Sequence, residues 1–104
     1  MRIACLLTLA VFVSACPPKN EDPAVARGRQ AYLGTCIACH NMNPSLDGAI
    51  GPAVKGSSKE LVEARVVRAE YPAGYKPKRD THAMPPQPQL AGSVDDLVKF
   101  LNAP

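Results

Sequence analysis

The chain has 104 residues, a formal net charge of +3, 5% aromatic residues and no Trp, whereas prolines number eleven and glycines seven. That length leaves room for one compact domain, which at this size is marginally stable unless a disulfide, a metal or a cofactor supports it. The charge excess is too small to indicate a nucleic-acid-binding protein, and no run of Lys and Arg is interleaved with aromatic residues.

The N-terminal residues 1–15 predict an export signal. Arg2 precedes an apolar run that ends at Val13, and this run is shorter than the ~20 residues that a membrane-spanning helix needs. Val13-Ser14-Ala15-Cys16 resembles the lipobox of bacterial lipoproteins. That resemblance implies a lipoprotein signal peptide over residues 1–15 and acylation of Cys16. An ordinary signal peptide cut near Ala15 is the alternative.

A lipidated Cys16 implies an exported protein that is anchored by lipid to a membrane, at the cell surface or in the periplasm. More than one acyl chain is sufficient for stable anchoring. In a Gram-negative cell we expect the outer membrane, because position 17 is Pro and not Asp. Residues 16–22 form a polar tether to the domain, and Cys5 leaves with the signal peptide.

The first predicted helix opens the domain, which extends over residues 23–104. Asp22 is suited to the N-cap and Pro23 to the first helical position. Helical spacing places four residues on one face, namely Val25, Gly28, Tyr32 and Cys36.

Near the end of this helix, Cys36-Ile37-Ala38-Cys39-His40 forms a C-x-x-C-H haem attachment motif. Two cysteines three positions apart near a helix end can each add to one vinyl group of the same porphyrin. The next residue then lies under the iron, so the imidazole of His40 becomes the proximal ligand. The predicted cofactor is one covalently bound haem c.

The motif has three alternative interpretations. A thioredoxin-like C-x-x-C requires a βαβ context, which the sequence does not predict. A zinc site requires a fourth ligand beside the two cysteines and His40, and His82 is the candidate. A plain disulfide between Cys36 and Cys39 leaves His40 without a role.

Two more helices follow. The second is predicted from about Ser58 to Glu70, with an apolar stripe of Leu61, Val62, Val66 and Ala69. The third is predicted to begin at Ser93 as N-cap, with Asp96 in a capping-box-like position. Its buried face comprises Val94, Leu97, Val98 and Leu101, with Phe100 at the edge. Loops rich in Gly and Pro separate the helices, and no stretch alternates long enough to predict a strand. The predicted fold class is all-α.

The domain resembles a class I (mitochondrial-type) mono-haem cytochrome c in a small bacterial lipoprotein form. Besides the attachment motif, Gly28 and Tyr32 match the family's small-plus-aromatic pair, and Leu97 with Phe100 match their partners on the last helix. The resemblance implies a cytochrome c-like fold, in which three main helices and long loops wrap around one covalent haem. It also implies a close crossing of the first and last helices at Gly28.

The family resemblance extends to the remaining iron-site residues. Gly51-Pro52 resembles the loop whose Pro carbonyl accepts the proximal imidazole N–H, which implies that Pro52 orients His40. Met84, followed by Pro85 and Pro86, resembles the Met-Pro segment of the family and is the expected sixth ligand, since Met42 is too close to His40 to reach the opposite side. His82 is the alternative sixth ligand.

One residue of the motif region departs from the family pattern. Asn41 follows the motif where many relatives have Gly, and Asn tolerates the left-handed backbone that such a position can require.

The function implied is that of an electron carrier that works by outer-sphere transfer and is not an enzyme. Redox proteins are the expected partners, and no small-molecule substrate is expected. The loop with Lys76, Lys78 and Arg79 is a candidate surface for an acidic partner, and Tyr71 and Tyr75 in the same loop are candidates for bonds to a haem propionate. Two alternatives remain, a peroxide-processing enzyme or gas sensor in which the Met84 bond opens, and a zinc-binding lipoprotein.

Overall fold

A computed structural model describes residues 20–104, so the predicted signal peptide, Cys16 and most of the tether lie outside the described residues. The described part contains three α-helices and no strand, which confirms the all-α class. The helices are α1 (Pro23–Thr35), α2 (Lys59–Arg68) and α3 (Val94–Leu101), with a 3₁₀-helix over Pro88–Ser93 directly before α3. Within residues 20–104, no helix has the length and apolar character needed to cross a membrane.

Helix α1 begins as predicted. The carboxylate of Asp22 accepts a hydrogen bond from the backbone N–H of Ala24 at 2.8 Å, which satisfies one of the free donors at the helix start. Three residues of this helix are buried, namely Ala24, Gly28 and Tyr32. Val25, predicted for the same face, is only half-buried. Cys36 forms the C-cap, and its N–H donates to Tyr32 O at 2.8 Å, so the cysteine pair begins where the helix ends.

Helix α2 is shorter at its C-terminus than predicted. Its start is capped by the Ser58 hydroxyl, which accepts from the Leu61 N–H at 3.2 Å. The helix stops at Arg68 because Ala69 adopts a left-handed backbone with φ of 55°, and the Glu70 N–H then returns to Ala64 O at 2.9 Å. Val62 and Val66 are buried as predicted, together with Ala64; Ala69 does not extend the stripe.

Helix α3 begins directly after Ser93, as predicted, but the predicted capping interaction is absent. Ser93 makes no side-chain capping bond, and the preceding 3₁₀-helix runs directly into α3. Asp96, expected to complete the capping box, instead accepts two hydrogen bonds from the Arg27 guanidinium of α1, at 2.9 and 3.1 Å. These bonds hold the pKa of Asp96 below its ordinary value. Of the predicted buried face, Val94, Leu97 and Leu101 lie in the core, whereas Val98 is half-buried and packs against it.

The predicted close crossing of α1 and α3 is present at Gly28. A Cβ at Gly28 would overlap the Asp96 carbonyl oxygen and lie 2.8 Å from Phe100 Cβ. One turn further on, the rings of Tyr32 and Phe100 pack with their centroids 5.5 Å apart. Helix α3 contacts both α1 and α2, and the core has residues from all three helices: Tyr32, Val62, Val66, Val94, Leu97 and Leu101.

Candidate functional site

A cleft of about 1240 Å³, including the open space at its mouth, separates the helical core from the loops. Side chains of the core form part of its wall, which makes the cleft mainly apolar. The candidate residues that line it are Cys36, Cys39, His40, Pro52 and Met84. Large apolar clefts with a few converging polar or ligating groups are typical of cofactor sites.

The two cysteines reach the cleft from the turn that follows α1. The backbone N–H groups of Cys39 and His40 both donate to Cys36 O, at 3.3 and 2.9 Å, so one tight turn carries both thiols and the imidazole. Both thiols are free and half-buried, and burial raises the pKa of the Cys36 thiol. The plain disulfide considered from the sequence is therefore not formed.

The imidazole of His40 has a defined partner. His40 Nδ1 lies 2.9 Å from the carbonyl oxygen of Pro52. Because a carbonyl oxygen can only accept, Nδ1 carries the proton, and Nε2 keeps its lone pair in the neutral ring. The neighbouring Gly51 is buried, and a Cβ there would lie 2.5 Å from two atoms of the ring. The loop thus packs directly against the imidazole and fixes its orientation.

This loop is folded onto the backbone of the attachment motif. The Gly51 N–H donates to Cys39 O at 2.8 Å, and the Gly48 N–H donates to Gly51 O at 2.8 Å. The carboxylate of Asp47 accepts from the Ala53 N–H at 2.8 Å. Asp47 and Gly48 were not identified from the sequence, since a turn rich in Gly and Pro predicts a loop without predicting what it packs against.

Asn41 does not use the left-handed backbone that its residue type allows. Among the described non-glycine residues, only Ala69 has a positive φ. The turn is held instead by the buried hydroxyl of Tyr32, which donates to Asn41 O at 2.6 Å. Burial raises the pKa of Tyr32 to about 12. The Asn41 side chain also accepts from the Asn43 N–H at 2.9 Å, so the substitution of Gly by Asn is accommodated by local hydrogen bonds.

The two candidates for the sixth ligand lie in different environments. Met84 is half-buried, packs against the core and lines the cleft. His82 is exposed and does not line it, and Met42 is 66% exposed. The segment with Met84 is fixed to α2 by the Gln87 N–H, which donates to Val66 O at 2.6 Å. The arrangement therefore favours Met84 over His82.

The zinc alternative gains no support from the arrangement of side chains. Across residues 20–104, His, Cys, Asp and Glu side chains form no group of three or more that could hold a metal ion. His82, the candidate fourth ligand, is exposed and does not line the cleft that Cys36, Cys39 and His40 line.

The loop between Tyr71 and Arg79 contacts both the cleft and the loop that packs on His40. Tyr71 and Tyr75 line the cleft with their rings stacked at 5.6 Å, and the guanidinium of Arg65 lies 4.0 Å from the Tyr71 ring centroid. Lys78 and Arg79, expected to face a partner, donate to backbone carbonyls of the Gly48–Ala53 loop. Arg65 was missed because a cation on a polar helix face gives no signal of what it stacks on.

Comparisons of the chain with models of known protein families, with curated proteins and with solved structures gave no match. The function has to be inferred from the side chains of the cleft and their partners.

Proposed function

We propose that the chain is a mono-haem c-type cytochrome with a cytochrome c-like fold, which carries electrons by outer-sphere transfer and is not an enzyme. The observation that carries this proposal is the 2.9 Å hydrogen bond between His40 Nδ1 and Pro52 O. A histidine that ligates a metal almost always donates its other ring N–H to a carbonyl or carboxylate oxygen. Here that bond belongs to a histidine directly after two free thiols that face a large apolar cleft.

The residues of the cleft fit one covalent haem. Cys36 and Cys39 would hold the porphyrin through thioether bonds, and His40 Nε2 and the Met84 sulfur would hold its iron. A bound haem would supply a one-electron couple between ferric and ferrous iron. The zinc hypothesis lacks a comparable fit, because His82 lies outside the cleft.

The protein residues set the properties of such a site. The Pro52 carbonyl fixes the tautomer of His40 and increases its basicity as a ligand. The thioether of Met84 is a soft ligand that favours ferrous iron, so we expect a positive reduction potential. Core side chains such as Val62, Val66 and Leu97 line the cleft and make this part of its wall apolar. If His40 and Met84 both held the iron, the protein itself would occupy the positions that a substrate would need.

Location and partners rest on the N-terminal sequence. A lipid on Cys16 would keep the domain at a membrane surface, close to membrane-bound redox proteins as donor and acceptor. Neither partner would need a deep binding site, because outer-sphere transfer forms no bond between donor and acceptor.

The experiment that tests the proposal is the visible spectrum of the full chain, expressed with a haem-attachment system and purified in oxidised and reduced form. We expect sharp ferrous α and β bands, haem that stays with the denatured chain, and the weak far-red ferric band of an iron–thioether bond. We also expect no carbon monoxide binding by the ferrous protein at neutral pH. A colourless protein that contains zinc would reject the proposal, and rapid carbon monoxide binding would favour the enzyme or gas sensor.

The sixth ligand is tested by Met84→Ala. We expect loss of the far-red ferric band, a lower reduction potential and binding of carbon monoxide, because the only thioether lining the cleft has been removed. Met42→Ala removes an exposed methionine and should leave all three properties unchanged. His82→Ala should do the same. If His82→Ala changes the spectrum and Met84→Ala does not, the ligand is His82.

A further inference from the structure

We propose that Arg79, assisted by Lys78, is a positioning residue that ties the segment carrying Met84 to the loop that orients His40. The inference rests on the proposed function, since it concerns the two candidate iron ligands. The residues 48–53 are named the proximal loop, because Pro52 within it accepts the hydrogen bond of His40.

The guanidinium of Arg79 binds the first half of the proximal loop. Its Nη1 donates to Ile50 O at 2.8 Å, and both Nη1 and Nη2 lie 3.3 Å from Gly48 O. A carboxylate oxygen of Asp47 lies 3.9 Å from Nη2. The Arg79 side chain is 31% exposed, so these bonds are partly shielded from water. A planar guanidinium can bond two carbonyls at once, which a single ammonium cannot do in the same geometry.

The ammonium of Lys78 binds the other end of the loop. Its Nζ donates to Ala53 O at 2.8 Å, and Ala53 directly follows the residue that accepts from His40. Two consecutive cations therefore hold the two ends of the proximal loop. Lys76, two residues earlier, is exposed and makes no such bond to the described residues.

These bonds connect the two sides of the iron site. The proximal loop packs on the His40 ring through Gly51 and on the motif backbone through the Gly51 N–H. Arg79 precedes Met84 in a stretch that has no helix between Arg68 and Pro88. In that stretch the bonds of Lys78 and Arg79 come before Met84, and the next fixed point is the Gln87 N–H on Val66 O. Met84 is thus held between two anchors, one of which is the proximal loop itself.

Loss of the Arg79 bonds should let the Met84 segment open more often without disrupting the helical core. When it opens, the iron position becomes accessible to an added ligand. The proximal loop should loosen at the same time, which would expose the Ile50 and Gly51 N–H groups that donate to Cys39 O.

The test uses the full-length haem protein and free imidazole as the added ligand. We expect Arg79→Gln to bind imidazole at ferric iron about tenfold faster than the unsubstituted chain, as expected for the loss of partly exposed charge-assisted hydrogen bonds. The imidazole-binding rate of Arg79→Lys should lie between these two rates, because one ammonium can replace only part of the hydrogen bonds of the planar guanidinium. Lys76→Gln controls for the lost positive charge. Arg27→Gln removes the α1–α3 ion pair and controls for general destabilisation.

Amide hydrogen exchange at Ile50 and Gly51 gives a readout that does not depend on haem. Faster exchange in Arg79→Gln, with unchanged exchange in Lys76→Gln and Arg27→Gln, supports the role even if the purified chain lacks haem and the carrier function fails. If Arg79→Gln exchanges its amides and binds imidazole at the same rates as the unsubstituted chain, the proposal is overturned. It is also overturned if Lys76→Gln raises both rates as much as Arg79→Gln does. If Arg79→Gln does not accumulate in the cell, Arg79→Lys takes its place. Rates of exchange and imidazole binding in Arg79→Lys that equal those of the unsubstituted chain would then overturn the proposal.

Discussion

In the helical half of the molecule, α1, α2 and α3 pack through side chains that are 2–7% exposed. The loop half, residues 41–56 and 70–87, is built differently. In these two loops, which the structure describes in full, Gly51 is the single buried residue. The loops are held by hydrogen bonds between side chains and backbone: Lys78 and Arg79 donate to carbonyl oxygens, and the Asp47 carboxylate accepts from an N–H.

This difference indicates which half of the molecule depends for its stability on a group bound in the cleft. Burial of apolar surface is the main favourable term in folding, whereas hydrogen bonds that replace bonds to water contribute little net stability. The helical half can therefore be expected to retain its structure by itself. Under the proposed function, haem supplies the apolar surface on which the loop half packs.

The largest effect is expected in the helical half, from Gly28→Ala. The added Cβ would overlap the Asp96 carbonyl and approach Phe100 Cβ, so α1 and α3 must move apart. We expect the free energy of unfolding to fall by about 3 kcal/mol, at the upper end of overpacking costs. Urea unfolding followed by circular dichroism measures this change.

Gly34→Ala is the matched control in the same helix. No atom lies within 4 Å of a Cβ at Gly34, and Ala is the better helix former by about 0.5–1 kcal/mol. The free energy of unfolding of Gly34→Ala should therefore rise by that amount. Similar losses in both variants would show that α1 and α3 do not depend on a close crossing.

The helical half was largely predictable because its signals are local and periodic. Asp22 as N-cap and the buried positions of α3 follow from the sequence at helical spacing. The failures were at the ends. The capping box of α3 does not form, since Asp96 bonds instead to Arg27 of α1, which is far away in sequence. The end of α2 was misplaced because nothing in its sequence indicates a left-handed Ala69.

A smaller effect is expected in the loop half, from Gly51→Ala. The added Cβ would lie 2.5 Å from the His40 ring, so either the loop or the imidazole must shift. We expect a loss of about 2 kcal/mol in the free energy of unfolding, within the usual range for overpacking. The shift should also weaken the hydrogen bond from Nδ1 to Pro52, which lowers the basicity of His40 as a ligand. The urea midpoint and the NMR signal of the ring N–H measure the two effects.

Gly92→Ala supplies the comparison for this variant. Gly92 lies outside the cleft, and no atom is within 4 Å of its Cβ position. The variant Gly92→Ala should leave the NMR signal of the His40 ring N–H unchanged. An unchanged signal in Gly51→Ala as well would contradict the contact between the proximal loop and the imidazole.

The candidate site was predictable as far as the chemistry of single residues goes. The cleft brings together Cys36, Cys39, His40, Pro52 and Met84, all of which the sequence singled out. The bonds by which Asp47 and Arg79 support them were not predicted, because both side chains act on backbone groups. Every residue type offers the same carbonyl, and every type except Pro the same N–H, so the sequence contains no pattern that identifies such a partner.

The smallest effect is expected where the two halves join, from Ala69→Gly. Ala69 ends α2 with a φ of 55°, a backbone that costs an L-residue about 1–2 kcal/mol and costs Gly almost nothing. Gly also loses about 0.4–1 kcal/mol more conformational freedom on folding. The net gain in the free energy of unfolding should be about 0.5 kcal/mol. Urea unfolding with the unsubstituted chain as reference would detect it as a higher midpoint.

Ala26→Gly tests whether the gain depends on the left-handed backbone. Ala26 lies inside α1, where Gly is less favourable than Ala by about 1 kcal/mol, so this variant should be destabilised. A gain in the free energy of unfolding for Ala69→Gly together with a loss for Ala26→Gly would locate the strain at the junction of α2 with the loop half. A loss of stability in both variants would mean that the junction adopts an ordinary helical conformation in solution, and α2 would then continue to Glu70 as its sequence predicts.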